Sequence, residues 1–366
     1  MEPNARSVTD TLPQQQPKKG ISEITREQRL VERRSVIMII VFVLVLLGIA
    51  VAELSSGASN MDVFASIRSL FGYGTRGEVA AVQNIRLPRV VCGIISGAGL
   101  AIAGCVLQSV LENPLASAST IGISQGAAFG ATLAILVIVP MFTGRVTNLG
   151  MGTTAAFAFG GAMISALIVL AFSQLGNMKA ESIVLVGVAL SALFSGASTI
   201  MQYFADDVEL SKVIFWEFGD LGRATWNQMA FMAIVGAGCS IYFFLNRWNY
   251  NALLNGGHVA GGLGVNVKHT RVVGVAVASL AAAVMVSFVG LISFIGLIAP
   301  HIARRFIGND YRFLLPASLV LGSAIMLASD FVARMVLSPI ILPIGAITSF
   351  MGAPLFLYLL YRGYHK

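Results

Sequence analysis

The chain has 366 residues, of which 56% are hydrophobic and only 11% charged, and its mean hydropathy is +0.81. A water-soluble core could not hide that much apolar side chain, so the solvent for most of the chain is lipid. The net charge of +7 does not point to nucleic acid, because no stretch joins clustered Lys and Arg to a soluble fold with exposed aromatics.

Residues 1–34, rich in Gln, Pro, Lys, Arg and Glu, show no apolar periodicity and read as a disordered or loosely helical cytoplasmic tail. The first apolar run, 35–54, is too long for the core of a signal peptide and lacks a small-residue cleavage site, so it reads as a retained helix. Further runs follow at 88–110, 119–140, 152–173, 182–204, 227–246, 271–289, 291–303, 314–334 and 343–361. All but the short eighth are near the ~20 residues that span a bilayer. The expected fold is therefore an all-α integral membrane domain of about ten transmembrane helices over 35–362. Between 272 and 302 only Gly274, Gly290 and Gly296 interrupt the run, so the seventh and eighth spans share the faintest boundary.

Ten spans with a cytoplasmic amino terminus place both ends inside. The outer side then holds eight bases, Arg68, Arg76, Arg86, Arg89, Arg145, Lys212, Arg223 and Arg334, leaving sixteen of the 24 Lys and Arg inside. That bias obeys the positive-inside rule. Cys92, Cys105 and Cys239 lie in or beside apolar runs, where a free thiol acts as a small hydrophobe, and no Cys-x-x-Cys or His-x-x-x-His spacing suggests a metal. Small residues recur at one-turn spacing at Gly93 and Gly97, at Gly122, Gly126 and Gly130, and at Ser191 and Ser195. Such faces let helices approach closely, either within one chain or between two.

No Gly-x-x-x-x-Gly-Lys-Ser/Thr loop occurs, and the Gly-rich stretch 255–264 has no Lys-Ser/Thr after it and no strand before it, so no nucleotide site is expected in this chain. The acids Glu53, Glu112, Glu181, Glu217, Asp220 and Asp330 all fall near predicted span ends. Without carboxylates at the midplane, an ion-coupled carrier or a channel with charged rings is disfavoured, and energy is expected from a partner. On the outer side, Arg86-Leu-Pro-Arg89 reads as a helix start with Pro88 in the first turn and two guanidiniums facing water. Asp330 and Arg334 are one turn apart, a spacing that permits an ion pair. These arginines are either snorkelling anchors or a dock for an acidic external protein. On the inner side, the loop 246–270 carries spaced apolar residues, Leu253, Leu254, Val259, Leu263 and Val265, that fit a short amphipathic helix lying against a cytoplasmic partner.

From residue 35 to residue 362 the chain resembles the permease subunits of ATP-binding-cassette importers for iron-siderophore complexes, haem and cobalamin. The likeness rests on the order of Arg86-Leu-Pro-Arg89, Gln108 with Glu112-Asn-Pro-Leu-Ala116, Gly122-Ile-Ser-Gln-Gly-Ala-Ala128, Leu185-Val-Gly-Val-Ala-Leu-Ser191 and Phe215-Trp-Glu-Phe-Gly219. It continues through Leu263-Gly-Val-Asn-Val267, the run 294–304, Ala328-Ser-Asp-Phe-Val-Ala-Arg334, Leu342-Pro-Ile-Gly345 and Gly352-Ala-Pro354. The resemblance implies a ten-helix subunit in the cytoplasmic membrane of a prokaryote, working as a dimer, expected to be a homodimer. It also implies two cytoplasmic ATPase subunits that hold ATP and Mg, and an extracytoplasmic substrate-binding protein. This chain itself would carry no cofactor, metal or catalytic residue. Arg86, Arg89 and Arg334 match arginines that meet glutamates of the binding protein, and the segment Leu253, Leu254, Asn255, Gly256, Gly257, His258, Val259, Ala260 and Leu263 matches the loop on which the ATPases push. It departs from the family at Gly257-His258 and Ala260-Gly261, where an acidic pair and an Ala-Arg are usual, and at 117–119, where an Asp-Pro usually follows. A ferric siderophore is the expected cargo, with haem and cobalamin as alternatives.

Overall fold

The computed structural model describes residues 21–56, 61–142, 150–174, 180–338 and 340–364, and among them the regular structure is helical throughout. In chain order the helices are α1 Ile21–Ser55, α2 Val63–Leu70, α3 Arg76–Val110, α4 Ile123–Met141, α5 Gly150–Gln174, α6 Ala180–Tyr203, α7 Asp207–Glu217 and α8 Trp226–Leu245. They continue as α9 Arg247–Leu253, α10 Gly257–Gly262, α11 Val267–Val289, α12 Ile295–Ile307, α13 Tyr311–Met335 and α14 Ile344–Tyr364. Eight of these, α1, α3, α4, α5, α6, α8, α11 and α13, are long and apolar enough to cross a membrane. They coincide with eight of the ten predicted spans.

The other two predicted spans correspond to α12 and α14. With 13 residues, α12 reaches only about 20 Å, short of the ~30 Å hydrocarbon layer. Its shortness has a local cause. Gly290 ends α11 at φ 85° and Phe294 stands at φ 67°, so the backbone from 290 to 294 is irregular, and part of it is fixed by the Asp220 amide donating to the Val289 carbonyl at 2.8 Å. Gly290 and Ile292 are buried, which is where irregular backbone is tolerated at membrane depth. Gly274 and Gly296 lie inside helices and mark no break.

Residues 21–34, expected as a disordered or loosely helical tail, are helical and form the first turns of α1. Glu, Arg, Gln and Leu are strong helix formers, and an apolar helix already nucleated extends through them. Residues 1–20 lie outside the described residues, as do Arg145, Lys179 and Lys366.

The core is built around α3, whose apolar window is 78% buried and which packs on α13, α11, α12 and α8. A second group joins α4 to α5 and α6, and α11 connects the two by also contacting α5. The small residues explain the close approach. A Cβ on Gly97 would lie 2.5 Å from the Gly322 carbonyl oxygen, and one on Gly126 would lie 2.5 Å from that of Gly161. The glycine faces at 93–97 and 122–130 therefore pack within this chain, whereas Ser195 on α6 is exposed. All three cysteines are buried as free thiols.

Candidate functional site

At the end of the bundle that the charge bias assigns to the outside, the three predicted arginines come together, but not as water-facing groups. Arg86 is 6% exposed and its Nη1 donates to the Leu54 carbonyl at 2.7 Å. Arg89 donates through Nε and Nη2 to the two oxygens of Asp330, both at 2.8 Å, and its Nη1 lies 3.1 Å from Asp220. Arg334 pairs with Glu53 and lies 3.2 Å from Asp330. The Asp330 and Glu53 side chains are each 1% exposed, those of Arg89 and Arg334 13%, and Asp220 45%.

The expectation of guanidiniums facing water is thus corrected, and the reason lies in the helix. Arg86 to Arg89 does not open a span: α3 begins at Arg76, after a capping box in which Thr75 and Glu78 satisfy each other's free amides. Pro88 therefore stands inside a continuous helix, where it lacks the N–H that residue 84 would receive. A π-helical turn over Val82–Arg86 absorbs that missing rung and turns Arg86 onto the core. Once buried, each cation requires a carboxylate or carbonyl partner. The result is a neutralised cluster joining the outer ends of α1, α3 and α13 with the segment before α8. Glu53, Asp220 and Asp330 carried the signal of their place at span ends, and Asp330 also its one-turn spacing from Arg334, which the structure shows as a contact of 3.2 Å; the other partners could not be read.

Two outer groups outside the spans are also shifted. Burial raises the Glu217 carboxyl above its ordinary value, against a hydrogen bond from Gln202 at 3.2 Å, and burial lowers Arg223.

At the inner end the expected amphipathic helix is two short ones, α9 and α10, divided at Gly256, whose φ of 88° suits only glycine. Leu253 and Ala260 are buried against the bundle. Asn255 and His258 are exposed, Gly256 and Gly257 half-buried, and Leu254, Val259 and Leu263 are 45%, 51% and 68% exposed. The segment therefore has one face on the bundle and an apolar face left open. It is held from below by Asn251, which donates to Asp310 at 3.0 Å and accepts from the Tyr311 amide at 2.8 Å. Burial works to raise Asp310, but its bonds from Arg312 and Asn251 prevail and hold its carboxyl below the ordinary range. Beneath α10, Arg271 at the start of α11 pairs with Glu112 just past the end of α3, and Arg304 of α12 bonds Gln108. None of these pairings was read from the sequence.

Among the described residues no cluster of His, Cys, Asp or Glu could hold a metal ion.

The model of the FecCD transport family matches residues 39–362. A putative ABC transporter permease protein from Methanocaldococcus jannaschii is 43% identical over 94% of this chain and 99% of its own length. The hemin transport system permease protein of Yersinia pestis is 32% identical over 88% of this chain and 94% of its own. A solved structure described as an inward-facing conformation of a putative metal-chelate type ABC transporter superposes with a TM-score of 0.77 at 29% identity, covering 89% of this chain and 99% of that one.

Proposed function

The chain belongs to the FecCD transport family and is a permease subunit whose ATPase is a separate polypeptide, and from that premise we infer that it moves a metal chelate into the cytoplasm by alternating access. The match over 39–362 carries this reading, since it runs from within α1 to within α14 and so reaches every helix assigned to the membrane. In this reading the chain crosses the cytoplasmic membrane of a prokaryote ten times, α12 and α14 completing the count, with both termini on the cytoplasmic side. Two copies form the path between them. The hydroxyls of Ser191, Ser195 and Thr199 follow one another at one-turn spacing on α6, and Ser195 and Thr199 are exposed in the single chain; a hydroxyl stripe suits a wet path better than lipid.

Two ATPase subunits, which hold the ATP and Mg, dock on the open apolar face of Leu254, Val259 and Leu263. An external binding protein docks at Arg86, Arg89 and Arg334, and because these are already paired it does so by exchange. Its carboxylates displace Asp220 first, the most exposed acid of the cluster, at Arg89. Docking and nucleotide state then favour different facings of the bundle. A ferric siderophore is the proposed cargo, with haem and cobalamin as alternatives.

In proteoliposomes containing the permease and its ATPase, adding loaded binding protein accelerates ATP hydrolysis and drives uptake. Labelled ferric hydroxamate, haemin and cobalamin, supplied in turn, identify the cargo. ATP hydrolysis indifferent to every loaded binding protein, with no uptake of any of the three, refutes the reading.

A further inference from the structure

The inner end contains a residue in a conformation its type disfavours. Glu112 stands at φ 45°, in the left-handed region that favours glycine. It occupies the position just after α3 where helices ordinarily place Gly: its amide donates to the Ser109 carbonyl and the next amide, Asn113, to that of Gln108, both at 3.1 Å, the paired bonds of a Schellman ending. A glycine there would close the helix without strain. Strain kept at such a site points to a use for the side chain.

The side chain has one. Its carboxylate pairs with Arg271 at the first turn of α11, bridging two helices of the central group. Arg271 Nε is buried without a hydrogen-bond partner, so the guanidinium is held by this pair. Gly257, the first residue of α10, lies beside it at about the distance of one methyl group: a Cβ there would lie 3.3 Å from Arg271 Nη2 and 3.7 Å from Glu112 Oε1. One turn earlier along α3, Gln108 bonds Arg304 of α12. A line of neighbouring groups therefore runs from α10 through the ion pair, whose side chains are 30% and 36% exposed, into α3 and α11, and onward to α12.

We propose that Glu112 is a positioning residue for energy coupling, the Glu112–Arg271 pair being the strut on which the Gly257–Gly262 segment bears, so that an ATPase pushing α10 moves α3 and α11 as one body. This rests on the reading that the ATPases act on that segment. It also gives a reason for the family departure at Gly257. A glycine seats the backbone on the pair, where a side chain would meet a guanidinium held against its carboxylate.

Glu112→Gly separates strut from structure, because it relieves the backbone while removing the side chain that carries the carboxylate. In proteoliposomes of the full permease with its ATPase and binding protein, uptake is measured with whichever of ferric hydroxamate, haemin and cobalamin the parent transports, together with ATP hydrolysed. The expected result is a thermal midpoint no lower than the parent's with uptake per ATP reduced about tenfold. The exchanged pair E112K/R271E recovers a ratio well above that of R271E alone. An E112G complex with the parent's ratio, or an exchanged pair no better than R271E alone, overturns the proposal. A parent complex that transports none of the three overturns the underlying reading instead, so the two failures are distinct.

Discussion

Asp330 accepts a two-pronged bond from Arg89 and faces Arg334 one turn along its own helix. Buried carboxylates of this kind are costly to leave and costly to unpair. In Asp330→Asn, Arg89 keeps only the more exposed Asp220 and Arg334 keeps Glu53, which strands part of two buried positive charges. We expect about 3–5 kcal/mol of destabilisation, seen as a lowered thermal midpoint of the permease in detergent; a midpoint equal to the parent's would show that the cluster holds nothing. Arg89→Lys should also lower it, since one ammonium cannot span both carboxylate oxygens and reach Asp220 as a planar fork does. Part of this arrangement was legible beforehand. The one-turn spacing of Asp330 and Arg334 stands in the sequence, but Arg89 and Asp330 are 241 positions apart, and no local pattern encodes a pairing at that separation. The inward turn of Arg86 depended on the π-helical turn before Pro88, which composition and periodicity do not reveal.

At the scale of elements, glycines of identical appearance do different work. Gly290 ends a helix through a positive φ, while Gly274 and Gly296 sit within helices to admit neighbours: a Cβ on Gly274 would meet Val110, and one on Gly296 would lie 2.7 Å from the Leu100 carbonyl oxygen. All three appear alike as breaks in the 272–302 run, which is why the boundary between the seventh and eighth spans was faint. Spans of ordinary length, by contrast, were legible because lipid demands a long apolar helix wherever the chain crosses. Gly104 gives a test of the crossing itself, since a Cβ there would overlap the Gly296 carbonyl and force α3 off α12. Gly104→Leu is expected to cost about 1–3 kcal/mol or more and to reduce the yield of folded permease, as read by size exclusion in detergent. Gly152→Ala, with no atom within 4 Å of the added carbon, should leave both yield and thermal midpoint at the parent's values.

Across the whole molecule, charge and polarity gather in two layers with an apolar middle between them. The outer layer is closed on itself: its buried arginines and acids neutralise one another, so a partner must exchange for a group already in place. The inner layer is open, because Leu253 and Ala260 turn α9 and α10 against the bundle while Leu254, Val259 and Leu263 stay 45% to 68% exposed. The spaced leucines and valines of 246–270 made this one-sided segment legible in the sequence, although the break at Gly256 was not, and under the proposed function the open apolar face is where the ATPase docks. Replacing all three with Glu should therefore act on assembly and not on the fold. L254E/V259E/L263E removes no buried side chain, so its thermal midpoint in detergent should match the parent's, while co-purification with the ATPase falls at least about tenfold, the effect of removing a few anchoring contacts of roughly 1–2 kcal/mol each. A triple variant that still captures the ATPase at the parent's level would show that the open apolar face is not the docking surface, and would move the input of energy to another part of the inner layer.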